Sequence, residues 1–222
     1  MSTSLIITLL SFCLISSTIS RVTHIEECGI SRGCWRLPLG CKTSEDCSTM
    51  ITWKHERRHL IVEIESKLVK AGQWIGFGFS KDDQMGNDTV FECQFAESGG
   101  AGNVVLSHNT AKNNVVLQKA SEMLIRDGYA DIENGKAMCG GEMILDNIHL
   151  DLVERKLMHV ISSGQYNLFF AFGNIDSKGE KHMHGMVGKE APWRSKEQVR
   201  FCQRCSSSFA NVDTNGIIDF KH

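Results

Sequence analysis

Residues 74–95, which read WIGFGFSKDDQMGNDTVFECQF, constrain the fold more than any other stretch of the chain. An apolar run ends at Phe79, a polar loop covers residues 81–87, and apolar residues resume at Thr89, a pattern that predicts two strands joined by a loop. Gly76 and Gly78 alternate with aromatic residues in the first run. Glycine weakens a strand unless a large group packs closely against the backbone. The polar loop also contains a single methionine, Met85. Together, the glycines and this methionine predict that a large group packs against this stretch.

Most of the remaining sequence also has strand character. Residues 50–55 and 60–69 alternate apolar and polar side chains, as in a half-buried antiparallel hairpin, and residues 166–172, YNLFFAF, predict a central strand buried on both faces. Asp127-Gly128 predicts the turn of a further hairpin. Many short strands and little helical periodicity predict an all-β sandwich or barrel.

The first 20 residues have the pattern of a secretory signal peptide. An apolar run over residues 5–15 precedes small residues that end at Ser20, where we expect cleavage. The competing interpretation is a buried N-terminal helix. No later run is long and apolar enough to serve as an anchor, so we expect a secreted protein without a membrane anchor.

The cysteines support an oxidising compartment. Cys13 falls in the predicted signal, and eight cysteines remain, an even number that predicts a disulfide framework whose pairing the sequence leaves open. These are Cys28, Cys34, Cys41, Cys47, Cys93, Cys139, Cys202 and Cys205. For the first four cysteines, the alternative to disulfides is a zinc cluster. For the last two, the alternative is a redox-active CxxC pair, but we expect them to form structural disulfides, partly to the N-terminal cysteines. Asn87-Asp88-Thr89 is a glycosylation sequon.

We divide the 222 residues into four parts: a signal peptide over 1–20, a Cys-rich segment over 21–48, a sandwich over 49–201, and a CxxC and polar tail over 202–222. The formal net charge of −2 gives no indication of nucleic-acid binding. The chain contains no GxSxG or HExxH motif and no flavin or nicotinamide fingerprint, so an electron-transfer or binding domain is a better interpretation than an enzyme.

The segment after Phe172 concentrates side chains that can bind metals. It contains His182, Met183, His184 and Met186. Imidazole and thioether groups suit copper, which is one interpretation of this segment. Ordinary surface residues are the other.

The string GFSKDDQMGNDTV resembles the signature of DOMON domains, which are immunoglobulin-like antiparallel β-sandwiches. CGISRGCWRLPLGC and YNLFFAFG look like the ferric-chelate reductase-like branch, and the resemblance covers about residues 28–205. It implies a β-sandwich with a disulfide-rich N-terminal segment. The full reductases carry a membrane-embedded module after this domain, and because no second apolar span follows, we expect this chain to lack it. In the haem-binding members, the methionine of this loop and a later histidine are the axial ligands of a b-type haem. The resemblance therefore implies Met85 as one ligand and His184 as the other, with His182 as the alternate.

A methionine and a histidine would complete six-coordination and favour electron transfer with an extracellular redox partner. Apolar walls would be needed, and we expect them from Trp74, Phe77, Phe79, Val90 and Trp193. Lys181, Lys189 or Arg194 could pair with the propionates. No CxxCH motif occurs, so the haem would not be covalently attached. The alternative is a haem-free module that binds a sugar, a lipid or another protein's ectodomain through Trp193 and Trp35.

Overall fold

A computed structural model describes residues 25–97, 100–111, 113–201, 211–212 and 214–217. The predicted signal peptide, Cys202 and Cys205 lie outside the described residues. The strands are β1 (Gly33–Leu37), β2 (Thr49–Glu56), β3 (His59–Ser66), β4 (Gln73–Ser80), β5 (Asp88–Gln94), β6 (Asn103–Asn109), β7 (Asn114–Val116), β8 (Ile125–Glu133), β9 (Lys136–Ile144), β10 (Gln165–Asn174), β11 (Trp193–Ser195), β12 (Val199–Arg200), β13 (Asn211–Val212) and β14 (Thr214–Ile217). The helices are α1 (Gln118–Leu124) and α2 (Leu152–Leu157), with single 3₁₀ turns at Ile25–Glu27, Ile161–Ser163 and Gly188–Glu190.

The strands form two sheets that pack as a β-sandwich, which confirms the predicted fold class. One sheet has the order β13-β1-β2-β3-β9-β8, and the other has the order β14-β11-β10-β4-β5-β6-β7, with β12 paired to β10. All of these strand pairs are antiparallel except β1 with β13. The strands predicted at residues 74–79 and 166–172 are neighbours, β4 and β10, at the centre of the second sheet.

Alternation along the central strands separates the core from the outer surface. The inward residues of β4, β5 and β10 belong to one hydrophobic core: Ile75, Phe77, Phe79, Phe91, Cys93, Leu168, Phe170 and Phe172. They pack against Trp35, Ile51, Trp53, Val62 and Ile64 of the first sheet. The intervening residues of β4, β5 and β10 lie on the outer face of the second sheet.

Three disulfides are present among the described residues. Cys28 pairs with Cys34 and Cys41 with Cys47, while Cys93 on β5 pairs with Cys139 on β9 and so joins the two sheets. The zinc interpretation of the first four cysteines is wrong, because each is paired within its own segment. For the same reason they are not bonded to Cys202 or Cys205.

The N-terminal segment is part of the sandwich rather than an appendage. Its β1 pairs along its full length with β2, and Trp35 and Leu37 are fully buried. The prediction that Trp35 is an exposed binding residue is therefore wrong. The polar tail also contributes short strands, β13 beside β1 and β14 beside β11.

One local prediction fails for an identifiable reason. Asp127-Gly128 is not a hairpin turn but a bulge inside β8, where the register with β9 shifts between Arg126 and Tyr129. The hairpin turn lies at Asn134-Gly135, whose positive φ angles of 51° and 76° suit a type I′ turn. Further along the chain, Asp151 caps α2 by accepting hydrogen bonds from the Val153 and Glu154 amides at 2.9 and 3.0 Å.

Within the described ranges, every helix is too short or too polar to cross a bilayer.

Candidate functional site

A cavity of about 740 Å³ lies on the outer face of the second sheet. Its floor consists of the outward residues of the three central strands: Trp74, Gly76, Gly78, Val90, Glu92, Phe169 and Ala171. Met85 lines it from the β4–β5 loop, and Lys181, His182, Met183, His184 and Met186 line it from the segment after β10. Asn109, Thr110, Ala111, Asn113, Asn114 and Val115 complete the wall. The volume lies within the range of about 300–1,000 Å³ that is usual for small-molecule and cofactor sites.

The two glycines of β4 make the centre of the floor flat. A Cβ at Gly76 would lie 3.2 Å from Val90 Cγ1 and 3.3 Å from Trp74 Cζ3, and a Cβ at Gly78 would lie 3.3 Å from Phe169 Cβ. Side chains at these positions would project into the cavity, because both residues are on the outward face of the strand. The floor therefore provides backbone and aromatic surface against which a flat apolar group can lie.

The loop that carries Met85 is held on both sides of this residue. Before it, Arg194 Nη1 donates to the Asp83 carbonyl at 2.9 Å and pairs with the Asp83 carboxylate at 3.0 Å. After it, the Gly86 amide donates to Asp88 Oδ2 at 2.8 Å, and the Asn87 amide donates to the Asn109 carbonyl at 2.6 Å. Met85 itself is half-buried. These contacts fix the backbone of the thioether donor.

Two titratable groups reflect this anchoring. Hydrogen bonds from Gln84 and then from Arg194 lower the pKa of Asp83. His159 Nε2 lies 2.7 Å from the Asn87 carbonyl and must donate to it, because a carbonyl oxygen only accepts. Burial lowers the pKa of His159, which favours the neutral ring in this position.

The segment that carries the histidines folds back over the end of β10. The His182 amide donates to the Asn174 carbonyl at 2.8 Å, and Trp74 Nε1 donates to the His182 carbonyl at 2.9 Å. Gly173 is required beneath this segment, since a Cβ there would lie 2.8 Å from both the His182 carbonyl oxygen and Trp74 Nε1. The backbone of the segment is thereby fixed next to the floor.

The two histidines differ in their surroundings. The side chain of His182 is 60% exposed, and its Nε2 lies 3.6 Å from Asp176 Oδ2. His184 is half-buried, and its Nδ1 lies 2.8 Å from the Gly185 carbonyl, to which it must donate. In the neutral ring this bond leaves the lone pair on Nε2, the arrangement in which a metal-binding histidine is oriented by its other nitrogen. Of the two rings, that of His184 is the more buried and the one held by a backbone carbonyl.

The donor set and the flat floor together fit a b-type haem. A thioether and an imidazole on the same cavity are a known pair of axial ligands. The two histidines also share the cavity with Met85, Met183 and Met186, so the copper interpretation stays a prediction as well.

The residues that form the cavity walls and the cations that lie near the cavity differ in part from those predicted. Trp74 and Val90 line the cavity, but Phe77 and Phe79 are fully buried in the core on the opposite face of β4, so their assignment to a cofactor wall is wrong. Trp193 packs against the core and is absent from the lining. Lys181 lines the cavity, whereas Arg194 is paired with Asp83 and Lys189 is exposed outside the lining.

Sequence reasoning missed Glu92, Phe169, Ala171 and the asparagines of the wall. A signal for Glu92 was available, because a carboxylate interrupts the otherwise apolar residues 90–93 at a position in phase with Val90. The asparagines on β6 and β7 gave no such signal in the sequence, because polar residues at strand ends are common.

Known proteins bear on this arrangement. Over 76 residues the chain is 29% identical to the DOMON domain-containing protein FRRS1L of Mus musculus and 28% identical to that of Homo sapiens. These matches cover 34% of this chain and 25% of each relative, so the similarity extends over about a quarter of those proteins. No solved structure matches the chain. The DOMON domain model matches residues 45–173, which include β4, the Met85 loop and most of β10. The chain therefore belongs to the DOMON domain family.

Proposed function

We propose that the cavity binds a b-type haem, with Met85 and His184 as axial ligands, and that the protein transfers single electrons. The observation that carries this proposal is that both ligand segments line one cavity whose floor is flattened by Gly76 and Gly78. His182 is the alternate ligand. When bound, the haem would supply a one-electron couple, and two protein ligands would leave no iron position open for oxygen chemistry.

The residues of the chain have separable roles in this proposal. Trp74, Val90 and Phe169 would supply apolar surface that excludes water from the haem, and Gly76 and Gly78 would leave room for it beside the sheet. The Arg194–Asp83 pair and the Asn87 backbone contacts hold the Met85 loop. His184 is oriented by its bond to the Gly185 carbonyl.

A haem titration of the purified protein tests the proposal. We expect one equivalent of haem to give a six-coordinate, low-spin optical spectrum in the wild type. Met85→Ala and His184→Ala should each lose that spectrum, while His182→Ala should retain it. Met123→Ala and His149→Ala are matched controls, since both residues are exposed and lie outside the cavity lining. Absence of a Soret band in the folded wild type would rule out the proposal.

The extracellular setting is part of the proposal. It is supported by the three disulfides and by the exposed side chain of Asn87 in the sequon. Mass spectrometry of the protein expressed in a secreting cell tests it, with an N-terminus at Arg21 and a glycan on Asn87 as the expected result. An intact N-terminus in the cell pellet would contradict it.

A second candidate function is a haem-free binding module for a polar ligand such as a sugar. The polar part of the lining favours it, because Glu92, Asn109, Asn113 and Asn114 line the same cavity as the aromatic surface of Trp74. Sugar binding that persists in Met85→Ala and is lost in Asn114→Ala would support this function over the first.

A further inference from the structure

Glu92 places a carboxylate at the floor of the cavity, where its side chain is only 2% exposed. It lies on the outer face of β5 beside Gly76 of β4. Its Oε1 accepts a hydrogen bond from Gln94 Nε2 at 2.8 Å, and its Oε2 accepts one from Ser107 Oγ at 2.9 Å. A buried carboxylate is unfavourable unless it is paired and hydrogen-bonded, so a charge at this position needs a compensating cation.

Lys181 supplies that cation from a distant part of the chain. Its Nζ lies 2.6 Å from Glu92 Oε2 and donates to Asn114 Oδ1 at 2.5 Å. Asn114 is itself fixed, because its Nδ2 lies 2.9 Å from both Ser107 Oγ and Asn109 Oδ1. The lysine is 89 residues away from Glu92 in sequence, and its side chain joins the segment after β10 to strands β5 and β7.

The position of Lys181 in the sequence also places the ion pair next to the histidines. Lys181 directly precedes His182, and it forms a β-bridge with Ile175 at the end of β10. The segment is otherwise held to the sheet by the His182 amide and by Trp74 Nε1. The Lys181–Glu92 pair is therefore a side-chain tether immediately before the histidines, in addition to the Trp74 indole that holds the His182 carbonyl.

We propose that Glu92 and Lys181 are the positioning and charge-setting pair of this cofactor site. Lys181 holds residues 181–186 over the sheet, and it cancels the charge of Glu92 next to the cofactor. Only the charge-setting role rests on the proposed haem function; the positioning role does not. In an environment of low dielectric constant, an uncompensated charge acts strongly on a neighbouring redox centre.

Removing the charge of Lys181 and removing the charge of Glu92 should shift the midpoint potential in opposite directions. Lys181→Met leaves the carboxylate uncompensated, which stabilises the more positive oxidised iron and lowers the midpoint potential. Glu92→Gln leaves the ammonium uncompensated and raises the potential. The double variant restores neutrality, so its potential should return towards that of the wild type. A residue with only a structural role would not produce this reversal of sign.

Lys136→Met is the matched control. Lys136 pairs with Glu65 at 2.7 Å, and their side chains are 25% and 7% exposed, close to the 19% and 2% of Lys181 and Glu92. This pair joins β9 and β3 of the other sheet, away from the cavity lining. Its removal should leave the potential unchanged. Spectroelectrochemical titration of the four variants measures these shifts, and shifts of the same sign or none in the two single variants would overturn the charge assignment.

Hydrogen exchange in the haem-free protein tests the tether separately. We expect Lys181→Met to accelerate exchange of the His182 amide by about ten-fold and to weaken haem binding by about 10–100-fold, as for other residues that orient metal ligands. Lys136→Met should do neither. Unchanged exchange at His182 in Lys181→Met would overturn the tether. A wild-type chain that binds no haem would overturn the charge assignment together with the proposed function, while the exchange result would still decide the tether.

Discussion

The disulfide between Cys93 and Cys139 should contribute more to stability than either N-terminal disulfide. It links residues 46 apart, whereas Cys28–Cys34 and Cys41–Cys47 each link residues 6 apart. Chain-entropy estimates give about 4 kcal/mol for the long loop and about 2 kcal/mol for each short one. For a protein of this size these values correspond to losses in Tm of about 8–16 °C and about 4–8 °C.

The comparison requires the variant Cys93→Ala/Cys139→Ala and the control Cys41→Ala/Cys47→Ala. Urea denaturation followed by tryptophan fluorescence gives the free energy of unfolding, because Trp35 and Trp53 are fully buried in the core. Cys93 and Cys139 are also fully buried, so loss of their packing adds to the expected difference. An equal or larger loss of stability in the control would refute the view that this disulfide fastens the two sheets together.

Three further predictions concern the site and its surroundings. Gly78→Leu should weaken haem binding by roughly ten-fold or more, about 1.4 kcal/mol, because the new side chain enters the cavity; an unchanged titration in the folded variant would contradict the account of the floor. Phe77→Ala should lower the free energy of unfolding by about 3–5 kcal/mol, because Phe77 stacks with Trp53 and meets Phe79 edge-to-face in the core. Its haem spectrum should stay that of the wild type, and an altered spectrum without loss of stability would place Phe77 in the cofactor wall after all. Because the pKa of His159 is lowered in the folded state, the unfolded chain binds a proton there at higher pH, so stability should fall as the pH drops below about 6.5. His159→Gln should flatten that part of the profile, and identical pH profiles of unfolding for the two proteins would contradict the buried neutral ring.

The sequence predicted the sandwich because its central strands carry strong local signals. The apolar runs at residues 74–79 and 166–172 became adjacent inner strands, and the alternation at residues 50–55 and 60–69 became β2 and β3. Local signals failed where long-range contacts decide the structure. Asp127-Gly128 has the composition of a turn, but the pairing of β8 with β9 extends through it as a bulge.

The candidate site was predictable in part. Met85, His182, His184, Trp74 and Val90 line the same cavity, and the glycines of β4 lie on its floor. Phe77 and Phe79 were misassigned because the presence of aromatic residues does not show which face of the strand they occupy. Their alternation with Gly76 and Gly78, which lie on the cavity face, places both phenylalanines on the opposite face. The pairing of Glu92 with Lys181 could not be predicted, since the two residues are brought together only by the fold-back of the chain after β10.

X-ray absorption at the iron edge of the haem-loaded protein tests the central claim most directly. With Met85 and His184 as ligands, the spectrum should contain one sulfur neighbour of iron among six ligands. That sulfur should disappear in Met85→Ala and persist in Met123→Ala. Iron surrounded only by nitrogen and oxygen in the wild type would contradict the assignment of Met85, and with it the proposed site.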